Sequence, residues 1–205
     1  MPHPLLPTDP PISEQEAQAS FIEEIPELQG KIEIAPYDLA WPARFEGEAA
    51  TIRRVLGDQA LELEHVGSTS VPGLSAKPIL DIDLILLDST QENAYVPALG
   101  TAGYKLTIRE PHWHEHRMLQ RSDPAVHLHV WTLGSPEAAR HKIFRDWLRS
   151  NEADRRLYGS HKQAIAEQDF RYMHDYNNAK SGLIREILGR ALDALPATPT
   201  SHQQE

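Results

Sequence analysis

Two aspartates lie in an otherwise apolar stretch of the sequence, and their spacing suits metal chemistry. The segment 79–87 reads ILDIDLILL, which predicts a buried strand because both of its faces carry apolar residues. Alternate side chains of a strand point to opposite faces, so Asp81 and Asp83 would share one face at roughly 6.5–7 Å between Cα atoms. Neighbouring carboxylates repel each other and are costly to bury. A divalent cation such as Mg²⁺ would offset both charges, so the pair predicts a metal site.

A glycine-serine turn precedes this strand. Gly67, Ser68 and Thr69 open the run GSTSVPGL. Glycine lets a ligand approach the backbone closely, and the hydroxyl groups can donate to phosphate oxygens. Such residues are common in ordinary turns, so the turn alone indicates little. Next to a pair of acids it favours a site for a metal-bound nucleotide, in which free backbone N–H groups hold the phosphates.

The same block resembles the signature of the GrpB family, also called UPF0157, within the nucleotidyltransferase superfamily. The likeness covers roughly residues 32–188 and rests on HVGSTSVPGL at 65–74, KP at 77–78, DID at 81–83 and HLHV at 127–130. Shorter matches are PYD at 36–38, Trp41, FRD at 144–146 and Lys180. The resemblance implies an α/β (α+β) fold with a small mixed sheet, packed helices and a helical C-terminal segment. It also implies transfer of a nucleoside monophosphate from ATP or another NTP to an unknown small acceptor.

Two histidines stand where the superfamily usually has a third carboxylate. In the predicted strand 126–132, His127 and His129 would share one face while Leu128 points to the other. His129 would then complete a metal site with Asp81 and Asp83, or either histidine would act as general base. Imidazole suits Mn²⁺ or Zn²⁺ better than Mg²⁺. The missing acid also leaves open a module that binds a nucleotide without turnover.

Several basic residues are candidates for phosphate contacts. The resemblance implies that lysines on the C-terminal helices neutralise phosphates, and Lys162 and Lys180 are the candidates. Arg117, at a predicted strand start, could hold a phosphate in its planar fork. Lys77 precedes Pro78 and is equally well explained as support for the turn. Most lysines are simply solvated.

A cluster of histidines, HWHEH at 112–116, suggests a different class of function. In an extended segment His112, His114 and His116 would face one way, and three imidazoles can bind a transition metal. A loop that closes over a substrate is an equal alternative. A histidine-rich transition-metal protein, such as a hydrolase, is therefore the second hypothesis.

Composition narrows the remaining possibilities. The 205 residues contain no Cys and carry a net charge of −10. Thiolate sites and disulfides are excluded, and broad nucleic-acid binding, which needs a basic surface, is not expected. No apolar run approaches the ~20 residues of a membrane span, and the N-terminus does not resemble a signal peptide. We expect a cytoplasmic protein whose partners are a nucleotide and a small acceptor.

The length of the chain predicts one domain with tails, and the resemblance places this domain at residues 31–194. Residues 1–30 form a Pro-rich acidic arm that is expected to be largely disordered, with a short helix around 14–24, and the tail at 195–205 is expected to be disordered. Trp41, Trp131 and Trp147 are expected in the core. Strands are predicted at 32–35, 61–66, 79–87, 104–109, 117–120 and 126–132. Helices are predicted at 42–56, 91–99, 136–150, 151–166 and 175–192.

Overall fold

A computed structural model describes residues 3–7 and 10–196. Most of the predicted tail at 195–205, from residue 197 onward, lies outside the described residues. Six helices are present in this part of the chain: α1 (Glu14–Ser20), α2 (Trp41–Leu56), α3 (Glu92–Thr101), α4 (Pro136–Ser150), α5 (Glu152–Ala166) and α6 (Met173–Asp193). None of the helices among these residues is long and apolar enough to span a bilayer.

The centre of the fold is a five-stranded mixed sheet. Its strands are β1 (Glu62–Val66), β2 (Leu80–Leu86), β3 (Lys105–Glu110), β4 (His116–Ser122) and β5 (Ala125–Thr132). They lie in the order β1-β2-β5-β4-β3, in which β2 and β5 are parallel and the other neighbours are antiparallel. This arrangement confirms the predicted α+β fold with a small mixed sheet. The parallel pair brings the two polar strands, β2 and β5, side by side.

One face of the sheet is closed by an apolar core. Ile82, Leu84 and Leu128 have no solvent exposure, and they pack with residues of α2 and α3. Helix α2 has Pro42 in its first turn, and it directs the buried side chains of Ala49 and Ile52 to this core. This face anchors β2 and β5 rigidly.

The other face of the sheet carries the polar residues and is approached by α4, α5 and α6. These helices have their own apolar cluster, which includes Leu74, Leu148, Tyr158 and Ile187. Of the three tryptophans expected in the core, Trp41 and Trp131 are fully buried. Trp147 is half-buried and donates its Nε1–H to Asp154 at 2.7 Å. A cleft remains between the helices and the sheet.

The N-terminal arm contains a short helix, α1, within the expected range 14–24, and the structure packs the described residues of the arm against the domain. Helix α1 buries Ala17, and Ile25 is also buried. The Ile12 N–H donates to Oδ1 of Asn178 at 3.1 Å, and Asn178 Nδ2 donates to the Ile12 carbonyl at 2.8 Å. The Ile22 N–H donates to the Thr107 carbonyl at 3.0 Å, beside the edge strand β3. These backbone contacts leave no signature in the composition of the arm.

The predicted strand at 32–35 is absent from the structure and is reduced to one bridge between Ala35 and Ala76. The Ala35 N–H and carbonyl both bond to Ala76 at 2.9 Å. Four apolar-alternating residues are too few to fix a strand without a neighbouring partner. The other strands and helices occur where they were predicted, with ends shifted by a few residues.

Candidate functional site

The cleft on the polar face of the sheet has a volume of about 730 Å³. The turn after β1, strands β2 and β5, helices α4 to α6 and part of the arm line it. The lining includes several residues singled out in the sequence, namely Gly67, Ser68, Lys77, Asp81, His116, His127, His129, Lys162 and Lys180. The fold therefore brings these residues together at one cleft.

Gly67 lies directly against Asp81. Its φ of +65° is in the region that favours glycine. A Cβ atom at this position would come within 2.2 Å of Oδ2 of Asp81. Register explains the proximity, because Val66, the last residue of β1, pairs with Asp81 on β2. Only glycine lets the turn pass over the carboxylate at this distance.

Lys162 reaches the same turn from α5. Its Nζ donates to Oγ of Ser68 at 2.8 Å and to the carbonyl of Ser75 at 2.7 Å. The ammonium also lies 4.8 Å from the centre of the Tyr158 ring. The side chain is almost fully buried. This burial, together with repulsion from Lys180, lowers the pKa of Lys162 to about 7.

Lys180 and Lys77 complete a group of three ammonium groups. Lys180 lies 4.7 Å from the centre of the Tyr176 ring, and burial and then repulsion from Lys77 lower its pKa to about 8. Burial also lowers the pKa of Lys77. Asp81 is the carboxylate whose attraction partly offsets these shifts. Within the described chain none of the three lysines forms an ion pair with a carboxylate.

Asp81 is the aspartate of β2 that faces the cleft. Its Oδ1 is 3.4 Å from Nδ1 of His127 and 3.9 Å from Nε2 of His129. Burial acts to raise the pKa of Asp81, but the contacts with His127 and His129 outweigh it and hold that pKa well below the usual range. Asp81 is therefore a carboxylate throughout the neutral pH range.

Asp83 lies on the same face of β2 as Asp81 but has different surroundings. Its side chain is only 2% exposed. Oδ1 accepts the Nε1–H of Trp131 at 3.0 Å, and Nδ1 of His141 lies 3.1 and 3.0 Å from the two carboxylate oxygens. Burial lowers the pKa of His141, but the attraction of Asp83 prevails and raises it. Both oxygens of Asp83 therefore already have polar partners within the protein.

Sequence reasoning missed His141 and the polar contact of Trp131. Trp131 could have been found, because it lies two residues beyond His129 and therefore on the same strand face. His141 comes from α4, and nothing in its local sequence connects it with the acidic strand. Its position follows only from the packing of α4 against the sheet.

The predicted metal ligands do not fit a preformed metal site. Among residues 3–7 and 10–196 no three His, Asp or Glu side chains are arranged to hold a metal ion. The cause is Asp83, whose two oxygens are taken by Trp131 and His141. A site made of Asp81, Asp83 and His129 would require Asp83 to leave these partners, so no chemical step below depends on a metal.

Two predicted phosphate contacts lie away from the cleft. Thr69 is in the short 3₁₀ turn Ser68–Ser70, where it is buried and its hydroxyl meets Nε2 of His65 at 3.0 Å. Arg117 points to the opposite face of β4, as period-2 alternation from His116 requires. There it is buried and pairs with Glu92 at 2.5 Å. Neither residue is a ligand of a phosphate in this arrangement.

The three histidines at 112–116 do not form a shared face. The chain turns before β4, and His114 and Glu115 have φ values of +53° and +54°. His112 is exposed, His114 lies 3.7 Å from Glu137, and only His116 enters the site. The expectation of a three-histidine metal site was wrong because it assumed an extended segment.

The fold and the cleft define an α+β protein with a glycine-serine turn beside an acidic strand. The chain belongs to the GrpB family, since the family described as GrpB protein matches residues 31–190. A UPF0157 protein of Halalkalibacterium halodurans is 46% identical over 181 residues, which cover 88% of this chain and 93% of that protein.

A solved structure of a family member has a similar fold. The conserved protein GrpB from Enterococcus faecalis superposes with a TM-score of 0.67 at 31% identity, covering 78% of this chain and 98% of that one. A further match is the Cid1 poly(U) polymerase, at a TM-score of 0.39 and 11% identity over 64% of this chain and 45% of that one. The second likeness is too low to carry an argument about activity.

Proposed function

We propose that this protein binds a nucleoside triphosphate in the cleft, with the phosphates held by the turn and the lysines. The observation that carries the proposal is the group of three lysines, Lys77, Lys162 and Lys180, which line one cleft and form no ion pair with a carboxylate among the described residues. Buried charges without partners are costly. An anion with several charges would remove this repulsion.

The turn supplies what a phosphate chain needs next to the lysines. Gly67 lets a ligand approach the backbone, and the Ser68 hydroxyl faces Lys162 at 2.8 Å. A phosphate oxygen at this point would meet a hydroxyl and an ammonium group together. Charge-assisted hydrogen bonds of this kind are about twice as strong as neutral ones.

A second function, transfer of the nucleoside monophosphate, is favoured by the position of Asp81 between His127 and His129 in the same cleft. The acceptor hydroxyl or amine would give its proton to a histidine as its oxygen or nitrogen bonds to the α-phosphorus. The bond from this phosphorus to the bridging oxygen breaks, and its electron pair leaves on pyrophosphate. The lysines would stabilise the charge of the leaving group.

The first experiment measures thermal unfolding of the full chain with each of four NTPs, alone and with Mg²⁺, Mn²⁺ or Zn²⁺. A ligand of the native state raises the midpoint by mass action. We expect an NTP to raise it in the wild type, and the increase to be mostly lost in Lys162→Met. Lys31→Met is the matched control, since that lysine is 57% exposed and pairs with Glu167. No shift with any NTP, or an undiminished shift in Lys162→Met, would contradict the proposal.

Turnover is tested separately from binding. Pyrophosphate release is followed in the presence of pooled small alcohols and amines. If His129 is the base, His129→Ala should lower the rate at least ~10²-fold while the thermal shift with the NTP persists. Binding without pyrophosphate release under all metal conditions would leave the nucleotide-binding module as the function.

A further inference from the structure

A line of hydrogen bonds runs across three neighbouring strands towards the cleft. Glu110 ends β3, His116 begins β4 and His129 lies on β5. Oε2 of Glu110 is 2.6 Å from Nδ1 of His116, and Nε2 of His116 is 3.0 Å from Nδ1 of His129. Strand register produces the alignment, because Glu110 pairs with His116 across the β3–β4 ladder.

The environment of His116 determines which groups donate and which accept along this line of hydrogen bonds. His116 is 4% exposed, and its ring stacks on Trp131 with 4.2 Å between centroids. Burial, followed by repulsion from His129 and His141, holds the pKa of His116 well below its usual value. A neutral imidazole carries one N–H and one lone pair. His116 must therefore donate at one nitrogen and accept at the other.

Glu110 selects which nitrogen of His116 carries the hydrogen. Burial raises the pKa of Glu110, whereas the polar groups around it favour the ionised form. An ionised carboxylate only accepts hydrogen bonds, and the 2.6 Å contact has the short length of a charge-assisted bond. The hydrogen of His116 is then on Nδ1, and its Nε2 accepts the Nδ1–H of His129.

We infer that Glu110 and His116 are positioning residues that fix His129 as the Nδ1–H tautomer, with the lone pair of Nε2 directed into the cleft beside Asp81. The distance of 3.9 Å from Nε2 to Oδ1 of Asp81 is too long for a hydrogen bond. The lone pair is thus available to a ligand. His116 is the member of the 112–116 cluster that enters the site, and its role is to position His129.

The use of this lone pair rests on the proposed function. A proton lost by the acceptor group would move to Nε2 of His129 and form an imidazolium. Its Nδ1–H would still donate to His116, and the Nδ1–H of His116 to Glu110. The negative charge of Glu110 would stabilise the imidazolium through this line, as the carboxylate of a catalytic triad does. Asp81 would stabilise it from the side of the cleft.

The test is the tautomer of His129 in the full-length protein without ligand, read by NMR of ¹⁵N-labelled histidine. The His129 signals are assigned by their loss in His129→Gln. In the wild type we expect a hydrogen on Nδ1 and none on Nε2. Glu110→Ala should convert His129 to a mixture of both tautomers. Glu115→Gln is the control, because that side chain is 47% exposed and lies on the turn outside the line; it should leave the tautomer unchanged.

A hydrogen on Nε2 of His129 in the wild type would overturn the inference, and this spectrum decides even if Glu110→Ala fails to fold. An unchanged His129 tautomer in folded Glu110→Ala would remove Glu110 from the role. The readout needs no nucleotide, so it can succeed where the proposed function fails. Once turnover can be measured, Glu110→Gln should lower kcat by about 10–10²-fold with little change in the Kd of the nucleotide. A change in Kd alone would contradict the positioning role.

Discussion

The two faces of the sheet are made from alternating residues of the same strands, and their environments are opposite. On β2 and β5, Ile82 and Leu128 are fully buried in the apolar core under α2 and α3. Their neighbours Asp81, His127 and His129 are half-buried and face the cleft. The comparison shows how the closed face holds the polar face in place. Each chemical group lies one residue away from an anchor that cannot move without opening the core.

This contrast predicts that the effect of a mutation depends on which face it alters. Leu128→Ala should lower the free energy of unfolding by about 2–5 kcal/mol, because it leaves a cavity in a closed apolar layer. His127→Ala, its neighbour on the cleft face, should lower it much less. Urea unfolding of both variants checks the difference. Equal losses of stability in Leu128→Ala and His127→Ala would show that the apolar face does not contribute more to stability than the cleft face.

The turn over Asp81 provides a second comparison, between two glycines that both have a positive φ. Gly67 and Gly73 have φ values of +65° and +78°, but a Cβ atom would meet Asp81 at 2.2 Å only at Gly67 and has nothing within 4 Å at Gly73. Both alanine variants should show the cost of the strained backbone. Gly67→Ala should lose about 1–3 kcal/mol more, the usual range for overpacking.

Urea unfolding measures this difference, and the NTP thermal shift provides its functional counterpart. The shift should be reduced in Gly67→Ala and kept in Gly73→Ala, because only the first displaces the carboxylate of the cleft. A similar stability for the two variants would mean that the turn has room over Asp81.

The two aspartates allow a comparison within the cleft face itself. Asp83→Asn should cost about 1–2 kcal/mol, because Trp131 and His141 lose a charged acceptor in a buried place. Asp81→Asn should cost less than about 1 kcal/mol, since Asp81 is 32% exposed. Denaturation at neutral pH checks the order of the two losses. A larger loss of stability in Asp81→Asn than in Asp83→Asn would contradict the assignment of Asp83 as the structural acid and Asp81 as the acid that faces the cleft.

The pH dependence of Asp81→Asn follows from the lowered pKa of Asp81. A carboxyl group whose pKa is lower in the folded than in the unfolded chain stabilises fully above its unfolded value, here 3.8. This contribution is lost as the pH falls through the folded pKa. The stability gap between wild type and Asp81→Asn should therefore be constant near neutrality and close below about pH 4. A gap that widens on acidification would contradict the shift.

The arm and the domain provide a further comparison. A chain that begins at Lys31 should still unfold cooperatively, since the core under α2 and α3 contains no arm residue. It should lose about 1–2 kcal/mol, because Ala17 and Ile25 are buried against the domain. Scanning calorimetry of the two lengths tests this, and loss of a cooperative transition would show that the arm is part of the core.

Alternation in the sequence was enough to predict the strands that carry the site and the shared face of Asp81, Asp83, His127 and His129. Alternation is local and could therefore be read from β2 and β5 alone. It could not show that the oxygens of Asp83 would be occupied by His141, because His141 comes from α4 through tertiary packing. Alternation also gave a wrong prediction of an extended segment at 112–116, because positive φ values at His114 and Glu115 turn the chain there. The docking of the arm depends on Asn178, 166 positions from Ile12.

Like-charge repulsion between Asp81 and Asp83 was the argument for a metal in the sequence. In the structure each acid has its own cationic or polar neighbours: lysines and histidines near Asp81, and Trp131 with His141 at Asp83. The unpaired charge of the site is therefore positive, on the lysines. A positively charged site favours an anion as the ligand.

The most direct test of the account is proton uptake when a nucleotide binds. At about pH 8, Lys162, with a pKa of about 7, is mostly neutral, and Lys180, with a pKa of about 8, is partly neutral. A triphosphate beside them raises both pKa values. Titration calorimetry of the wild type with a non-hydrolysable ATP analogue, in buffers of different ionisation enthalpy, should show uptake of about one proton. Lys162→Met should lose most of the uptake. Binding without proton uptake, or with equal uptake in Lys162→Met, would show that the phosphates do not lie at the lysines.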